Sequence, residues 1–377
     1  MAIPKTNSVA AAKEPLDIKV VPLLAVLLSG AFVAILNETL LNVALEEILV
    51  DFSISRSSVQ WLTTGYMLVI GSLVPVSAYF VQRFTTRQLF FAAMGFFTIG
   101  TLIAGFSPVF TVLLIGRLIQ AIGTAIMIPL LTNIVLAVIP IERRGAAMGM
   151  IGLVIMFAPA IGPTLSGIIV QNLSWRWLFF FVLPISGFSM IYGYFVLKNV
   201  IRQTNPTIDI ISVILSILGF GGIVFGFGSA GEGEGGWLDP EVVLSLVIGS
   251  ISLALFVWRQ IKLKTPMLDM RVFRYSMFSL ALVLMIIVMM TMFAMMLVLP
   301  MYLRSVLVFS AVLTGLVLLP GGLINGAISP IMGRLFDKFG PRVLLIPGLA
   351  SWFWSYFCFG SSRLVRLRGS LSSFIPY

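Results

Sequence analysis

Two ionisable side chains lie inside long apolar segments, where a charge is costly unless it faces a partner or a water-filled cavity. Glu38 lies in an apolar run at about 21–45, and Arg117 lies in a run at about 109–138. A carboxylate takes up and releases a proton, whereas a guanidinium keeps its charge and holds a nearby carboxylate or water in place. The two residues therefore predict a proton-coupling site within a membrane. Two other interpretations stay open: a glutamate that extends to the outer membrane surface, and an arginine that satisfies backbone carbonyls.

The residue types that are missing exclude several kinds of chemistry. The sequence has no histidine and a single cysteine, Cys358, which rules out histidine acid–base catalysis, His or Cys metal centres and disulfide frameworks. It also has no glycine-rich phosphate-binding loop with a lysine, which argues against a nucleotide-driven pump. We therefore expect no metal, no cofactor and no enzymatic activity.

The composition is that of a protein embedded in a lipid bilayer. Hydrophobic residues make up 59% of the 377 residues and charged residues 10%, whereas soluble domains carry about 25% charged residues. Because roughly 20 apolar residues cross a bilayer as one helix, the sequence predicts an all-α polytopic membrane protein. The predicted spans lie at about 21–45, 58–81, 88–106, 109–138, 145–170, 177–197, 208–229, 241–258, 276–302, 311–332 and 343–360.

The distribution of positive charge predicts the orientation of these helices. With a cytoplasmic N-terminus, most of the 24 Lys and Arg residues lie on the cytoplasmic side, and the outer loops hold only Arg56, Arg176 and Arg304, as the positive-inside rule requires. The formal net charge of +10 is then explained by loops that face anionic lipid, and no nucleic-acid partner is expected. We expect a multi-pass protein of a bacterial cell membrane.

An internal repeat divides the predicted spans into two halves. A shift of 255 residues aligns five identities around the second and tenth spans: Leu68 with Leu323, Gly71 with Gly326, Pro75 with Pro330, Phe84 with Phe339 and Arg87 with Arg342. The halves are then eight spans apart instead of six, which implies two inserted helices and a second half that lacks three helices.

Five parts follow from this arrangement. They are a cytoplasmic segment (1–20), a first six-helix bundle (21–197), two inserted helices with a cytoplasmic linker (198–275), an incomplete second bundle of three helices (276–360) and a tail outside both bundles (361–377). The tail carries Arg363, Arg366 and Arg368 on the side predicted to be outer, against the positive-inside rule. We therefore expect either a soluble tail or an out-of-frame end to a truncated chain.

Two apolar runs carry polar residues in recognisable patterns. Residues 36–45 read LNETLLNVAL and place Asn37 beside Glu38, while residues 114–123 read LIGRLIQAIG and contain Gln120. Consecutive residues of a helix differ by about 100° in direction, so Asn37 and Glu38 face different neighbours.

The fifth span combines glycines and prolines at short intervals. Small residues let helices approach closely, and prolines interrupt the backbone hydrogen bonds, so the pattern predicts a kinked, tightly packed helix suited to a rocking motion. Packing alone also explains such residues. The motif consists of Gly152, Pro159, Gly162, Pro163 and Gly167.

A fourth pattern follows the tenth span, where residues 333–342 read GRLFDKFGPR. Asp337 is expected to pair with basic residues and to meet the N-terminal end of a following helix, which would hold a cytoplasmic gate closed. In the first-half copy Gln82 replaces the acid, so its charge contacts are expected to be weaker; a solvated turn is the alternative. The predicted gate comprises Arg83, Arg87, Gly333, Asp337, Lys338, Gly340 and Arg342.

In combination, these four patterns resemble the major facilitator superfamily, and more specifically its fourteen-span drug:proton antiporters, with the lincomycin exporters most similar. The resemblance implies the major facilitator fold with about 11 of 14 helices present. It also implies that Glu38, Arg117 and Asn37, which stands where the family usually has aspartate, couple transport to protons, and that the fifth span carries an antiporter motif.

The resemblance further implies proton-coupled multidrug efflux by alternating access, with small-molecule drugs, lincosamide-like or cationic and amphipathic, and protons as partners. We expect Asn42, Gln120, Met292 and Met296 to line the substrate cavity. The methionines suit this role because their side chains adapt to varied apolar ligands, although they could equally serve only to pack the helices. Trp175 is expected to be an aromatic residue of the membrane interface. Two other functions stay open: a non-transporting fragment of such a transporter, and a carrier of another small metabolite.

Overall fold

Ten long α-helices make up most of the part of the chain that the structure describes. The computed structural model describes residues 20–200, 203, 209–230, 236–263, 266–306, 311–348 and 350–351, and no β-strand occurs within these ranges. The helices are α1 Val20–Phe52, α2 Arg56–Arg83, α3 Thr86–Gly105, α4 Phe110–Val138, α5 Arg144–Asn172, α6 Trp177–Val196, α7 Ile210–Ser229, α8 Pro240–Lys262, α9 Ser276–Ser305 and α10 Ala311–Phe339. Residues 341–348 are also helical.

The helices coincide with the apolar runs of the sequence. Ten of the eleven predicted spans correspond to α1–α10, and the eleventh begins in the helical stretch 341–348, while its remainder and the tail lie outside the described residues. In the described part of the chain, the eight helices α1–α8 are long and apolar enough to cross a membrane. The 255-residue offset carries Arg56, the first residue of α2, onto Ala311, the first residue of α10.

The first bundle is organised around α1. This helix packs against α2, α4, α5 and α6, and its buried residues lie on every face, as expected for a helix that is apolar all round. The neighbouring pair α3 and α4 approaches closely at glycines: a Cβ atom on Gly116 would lie 2.8 Å from the backbone nitrogen of Ala104. This close approach fixes the register between the two helices and brings their polar side chains together.

Two packing contacts join the remaining helices to this bundle, and two more connect those helices to one another. Helix α10 packs along α5, α7 packs against α2, and α7 and α8 form an antiparallel pair, while α9 contacts α10. At the pair α7–α8, a Cβ atom on Gly249 would lie 2.8 Å from the backbone nitrogen of Ile223. We call the end of the protein where α5 begins and α10 ends the inner end, which the charge distribution of the sequence predicts to be cytoplasmic.

Candidate functional site

A buried hydrogen-bond network links α1, α3 and α4. The Gln120 side-chain oxygen accepts hydrogen bonds from Asn37 Nδ2 at 3.1 Å and from an Arg117 terminal nitrogen at 2.9 Å. Its amide nitrogen donates to Thr101 Oγ1 at 2.6 Å, and Thr101 donates to the Phe97 carbonyl. Gln120 is fully buried, so each of these contacts replaces hydrogen bonds to water. The structure thus brings together Asn37, Arg117 and Gln120.

Arg117 is a fully buried cation whose contacts are mainly neutral groups. Its guanidinium lies 4.1 Å from the centre of the Tyr66 ring, and its Nε donates weakly to the Leu62 carbonyl at 3.5 Å. The Tyr66 hydroxyl pairs with Thr124 Oγ1 at 2.7 Å. Burial of a charge is costly unless it is compensated, and a ring face, an amide and a carbonyl compensate it only in part. Arg117 is therefore suited to stabilise a negative charge nearby.

Glu38 lies next to this network without joining it. Its side chain is partly buried, and the Arg117 guanidinium is within electrostatic range of its carboxylate. The described residues include no salt bridge between the two. Among the described helices, Glu38 is the one acidic residue that lies more than two turns from a helix end. Glu38 and Arg117 thus influence each other electrostatically without forming a salt bridge, and Asn37 is the residue that reaches Arg117 through Gln120.

The four residues expected to line a substrate cavity lie in different surroundings. Asn42 is exposed, and its side-chain oxygen accepts a hydrogen bond from Thr63 at 3.4 Å. Gln120 is enclosed in the network and reaches no open surface in this arrangement. Met292 lies partly buried on α9, and the Met296 side chain lies outside the described residues. Of the four, Asn42 is the polar group best placed to meet a ligand.

Helix α5 contacts both α1 and α10 through residues of the predicted antiporter motif. A Cβ atom on Gly162 would collide with Thr39, and one on Gly152 would collide with Ser329. Ser166 donates a hydrogen bond to the Leu40 carbonyl at 2.6 Å. Pro159 and Pro163 lie between these contacts inside the helix, while nothing lies within 4 Å of a Cβ on Gly167. The motif thus packs α5 against the turn of α1 that carries Glu38.

Asp337 closes the inner end of the contact between α5 and α10. Its carboxylate accepts hydrogen bonds from the backbone nitrogens of Gly145 at 2.7 Å and Ala146 at 2.8 Å. These N–H groups belong to the first turn of α5, which has no side-chain cap of its own, and a negative charge is favourable at that position. The expectation that Asp337 meets a following helix was wrong: its partner precedes it in the chain and belongs to the first bundle. A carboxylate has no sequence pattern that identifies which helix end it will cap.

The other gate residues have mixed surroundings. A Cβ atom on Gly333 would collide with the Gly145 carbonyl, so only glycine permits this approach, and Gly340 has a φ of 76°, which favours glycine. Lys338 lies 5.2 Å from the Phe339 ring centre, and Arg342 is exposed. Arg83 lies in the last turn of α2.

Arg87 packs within the first bundle. Its guanidinium lies 4.6 Å from the Tyr194 ring centre on α6 and 5.9 Å from that of Phe91. These contacts give it a place between α3 and α6, whereas Asp337 lies at the contact between α5 and α10. The first-half copy of the gate is therefore not a structural mirror of the second.

A cluster at the outer end of the first bundle was not anticipated as a unit. The Trp175 indole nitrogen donates to Asp51 at 3.0 Å, Arg176 forms a salt bridge with the same carboxylate at 2.9 Å, and Arg176 also donates to the Ser107 carbonyl. Trp175 is only 4% exposed because it packs within this cluster, and its place at the membrane interface stays a prediction. The acid that satisfies its N–H lies more than a hundred residues earlier, where its spacing gave no signal.

Comparison with known proteins agrees with this arrangement. Residues 27–371 match the Major Facilitator Superfamily. The lincomycin resistance protein LmrB of Bacillus subtilis (strain 168) is 49% identical over 349 residues, which cover 91% of this chain and 73% of that protein. LmrB of Listeria monocytogenes is 51% identical over 331 residues, covering 88% and 70%. A solved structure of the proton:xylose symporter XylE has a TM-score of 0.55 at 14% identity, covers 86% of this chain and 70% of that one, and shares the fold.

The chain belongs to the major facilitator superfamily, whose members carry small molecules across membranes. It is a multi-span membrane protein with the helical fold of that family.

Proposed function

We propose that this protein is a drug exporter of the bacterial cell membrane, coupled to protons by antiport and related to the fourteen-span drug:proton antiporters. The observation that carries the proposal is a fixed buried cation, Arg117, beside a membrane-embedded carboxylate, Glu38, in a chain half identical to proteins named for lincomycin resistance. The N-terminus lies in the cytoplasm in this proposal.

The coupling step uses the charge of Glu38. When its carboxylate is ionised, the positive field of Arg117 favours α1 in the arrangement described above; when a proton from outside neutralises it, that attraction is lost. Arg117 cannot deprotonate, so it resets the site in each cycle. The network through Gln120 and Asn37 keeps the guanidinium in place.

The movement follows from the contacts of α5. Gly162 and Ser166 attach this helix to α1 at the level of Glu38, while its first turn is bound to Asp337 of α10. A shift of α1 is therefore transmitted to the end of α5 that holds the inner gate. Release of Asp337 separates the two bundles on the inner side and exposes the cavity to the cytoplasm, as alternating access requires.

The substrate class follows from the same carboxylate. A cationic or weakly basic amphipathic drug is attracted to an ionised Glu38 and to the exposed amide of Asn42, so drug and proton compete for one site. Lincosamides, which the two LmrB proteins are named for, are the first compounds to test.

Transport by inside-out vesicles tests the proposal. We expect a pH gradient to drive lincomycin uptake, and Glu38→Gln to reduce it to the rate of vesicles without the protein. The matched control is Glu46→Gln, since Glu46 lies on the same helix in an exposed ion pair with Arg56 at 3.1 Å, an interaction of little energetic weight. Normal coupling in Glu38→Gln would refute the assignment.

The same assay separates two alternatives. The matched region covers 73% of the Bacillus subtilis protein, so a chimera that adds the remaining portion of that protein serves as reference. Lincomycin uptake by the chimera alone would favour a non-transporting fragment. A pH-dependent uptake of sugars or metabolites without drug uptake would favour another carrier function on the same fold.

A further inference from the structure

The inserted helices α7 and α8 form an apolar groove on their exposed side. The groove has a volume of about 550 Å³ and is lined by Ile223 of α7 and by Ser250, Leu253, Ala254, Val257, Trp258 and Ile261 of α8. The groove is shallow and its lining is apolar apart from Ser250, which suits a flexible acyl chain lying along the surface. Trp258 is 56% exposed at the inner end of the groove, where tryptophan side chains sit at the level of lipid headgroups.

Two cationic side chains lie at this inner end. The Lys262 ammonium lies 4.1 Å from the centre of the Trp258 ring. The Arg271 guanidinium donates hydrogen bonds to the carbonyls of Ile261 at 3.3 Å and Leu263 at 3.5 Å, so it lies at the end of α8. It also covers the carbonyl groups that would repel an anion there. Neither cation forms a salt bridge with any described residue.

Two acidic groups lie nearby, and one of them is neutralised by an ion pair. Asp209 forms a bidentate salt bridge with Arg259, with N–O distances of 2.7 and 2.9 Å. The Asp269 carboxylate accepts a hydrogen bond from the backbone nitrogen of Arg271. Asp269 keeps its negative charge, but Lys262 and Arg271, neither of which forms an ion pair within the described residues, leave the mouth of the groove with a net positive charge.

The position of Arg271 is fixed by a buried glutamine. Gln260 is fully buried; its amide nitrogen donates to Ser212 at 2.7 Å, and its oxygen accepts from the backbone nitrogens of Met267 at 2.8 Å and Leu268 at 3.2 Å. These bonds fold the segment after α8 back against the α7–α8 pair. The cations, the aromatic ring and the groove thus form one built surface.

We propose that this surface binds an anionic phospholipid of the inner leaflet, with an acyl chain in the groove and the phosphate between Lys262 and Arg271. Arginine and lysine are the usual partners of phosphate, and charge complementarity distinguishes an anionic lipid from a zwitterionic one. The site is independent of the proposed transport function, because it lies on α8 and not on α1, α4 or α5. It gives the inserted helices a role as a lipid-binding anchor.

Lipid retention measures this binding. The purified chain is equilibrated with equal amounts of phosphatidylglycerol and phosphatidylcholine of identical acyl chains, and the lipid that stays bound is quantified by native mass spectrometry. We expect a preference for phosphatidylglycerol that falls about fivefold for each cation removed, and about 25-fold in Lys262→Gln/Arg271→Gln. Lys262→Arg should keep the preference. Ala254→Phe, which fills the groove without changing charge, should lower retention of both lipids.

The control is Arg274→Gln, which removes an exposed arginine of the same short turn that forms no hydrogen bond to α8 among the described residues. An equal loss of preference in this control would overturn the proposal, since any inner-side charge would then suffice. Inorganic phosphate should displace phosphatidylglycerol only at a large excess, because it competes for the two cations but has no acyl chain; displacement at equimolar phosphate would also overturn the proposal, since the groove would then contribute nothing. Retention unchanged in Ala254→Phe would count against it in the same way.

Discussion

Substitution of Asp337 by asparagine should open the inner gate. Asp337→Asn removes the negative charge at the start of α5 and leaves one oxygen to accept from Gly145 or Ala146. Hydrogen bonds to charged groups contribute about 1.5–3 kcal/mol each, and a charge at a helix start about 0.3–1 kcal/mol. Because the site is only partly buried and one bond survives, we expect a net loss of about 1–2 kcal/mol. That shifts the closed-to-open equilibrium about 5- to 30-fold.

The labelling rate of a cysteine between α5 and α10 reports this shift. Met156 lies at their contact, where its sulfur accepts a hydrogen bond from Asn325 at 3.7 Å; Met156→Cys is made in a chain whose single cysteine, Cys358, is replaced by serine. In inside-out vesicles, a membrane-impermeant maleimide should label this cysteine about 5 to 30 times faster when Asp337→Asn is added.

The matched control for this experiment is Asp269→Asn. Asp269 is another inner-side carboxylate that accepts a backbone N–H, from Arg271 at 3.1 Å, but it is remote from α5 in the pattern of contacts. An unchanged rate in Asp337→Asn, or an equal rise in Asp269→Asn, would refute the view that the carboxylate holds the gate. A slower rate would mean that the opposite state had been stabilised.

Two further substitutions probe packing and charge. Gly149→Ala places a Cβ atom 2.6 Å from the Ser329 carbonyl oxygen and should lower the free energy of unfolding by about 1–3 kcal/mol. The control is Gly187→Ala, whose Cβ atom has nothing within 4 Å and should cause no such loss. Equal melting temperatures for the two variants would contradict this packing argument. The Arg259 guanidinium lowers the pKa of Asp209 from 3.8 to about 2. A carboxylate of lowered pKa stabilises the fold above its ordinary pKa, so Asp209→Asn should cost on the order of 2 kcal/mol at neutral pH. In denaturation measured against pH, this difference should disappear as the pH falls from about 4 to about 2; a constant difference would exclude the ion pair as its source.

The sequence alone predicted the helices better than their partners. Each of α1–α10 matches an apolar run, because the length of a span is imposed by the bilayer and is visible locally. The sequence also predicted that Arg117 and Gln120 are neighbours, since they lie about one helical turn apart. Their contacts with Thr101 and Tyr66 were not visible, because these lie on other helices whose register is set by glycine contacts such as Gly116.

The sequence also did not reveal which helix start a distant carboxylate caps. Asp337 and the start of α5 are separated by 192 residues, and each half of that contact is ordinary by itself: an acid in the last turn of one helix, and another helix without a side-chain cap. The buried Trp175 shows the same limit, since its indole requires Asp51 from another segment. Such pairs become predictable only when the packing of the helices is known.

The exchange of asparagine for aspartate at position 37 tests whether the buried network is part of the coupling site. Asn37 donates to Gln120, which an ionised aspartate cannot do. The new carboxylate can instead accept from Arg117, so that Gln120 keeps its bonds with Arg117 and Thr101. The new carboxylate then lies near Arg117, whose charge has no acidic hydrogen-bond partner in the described structure. A buried carboxylate beside a fixed cation is a proton-binding group of the same kind as Glu38.

Asn37→Asp should therefore restore part of the pH-driven lincomycin uptake that Glu38→Gln abolishes. The matched control, Asn42→Asp in the same Glu38→Gln background, places an acid on the same helix at an exposed position outside the network, and should restore none. If the control restores uptake equally, any carboxylate on α1 serves and the network is not needed. If neither does, although both variants insert at normal levels, then Arg117 and Gln120 stabilise the bundle without taking part in coupling, because a proton bound next to them would have no effect on transport.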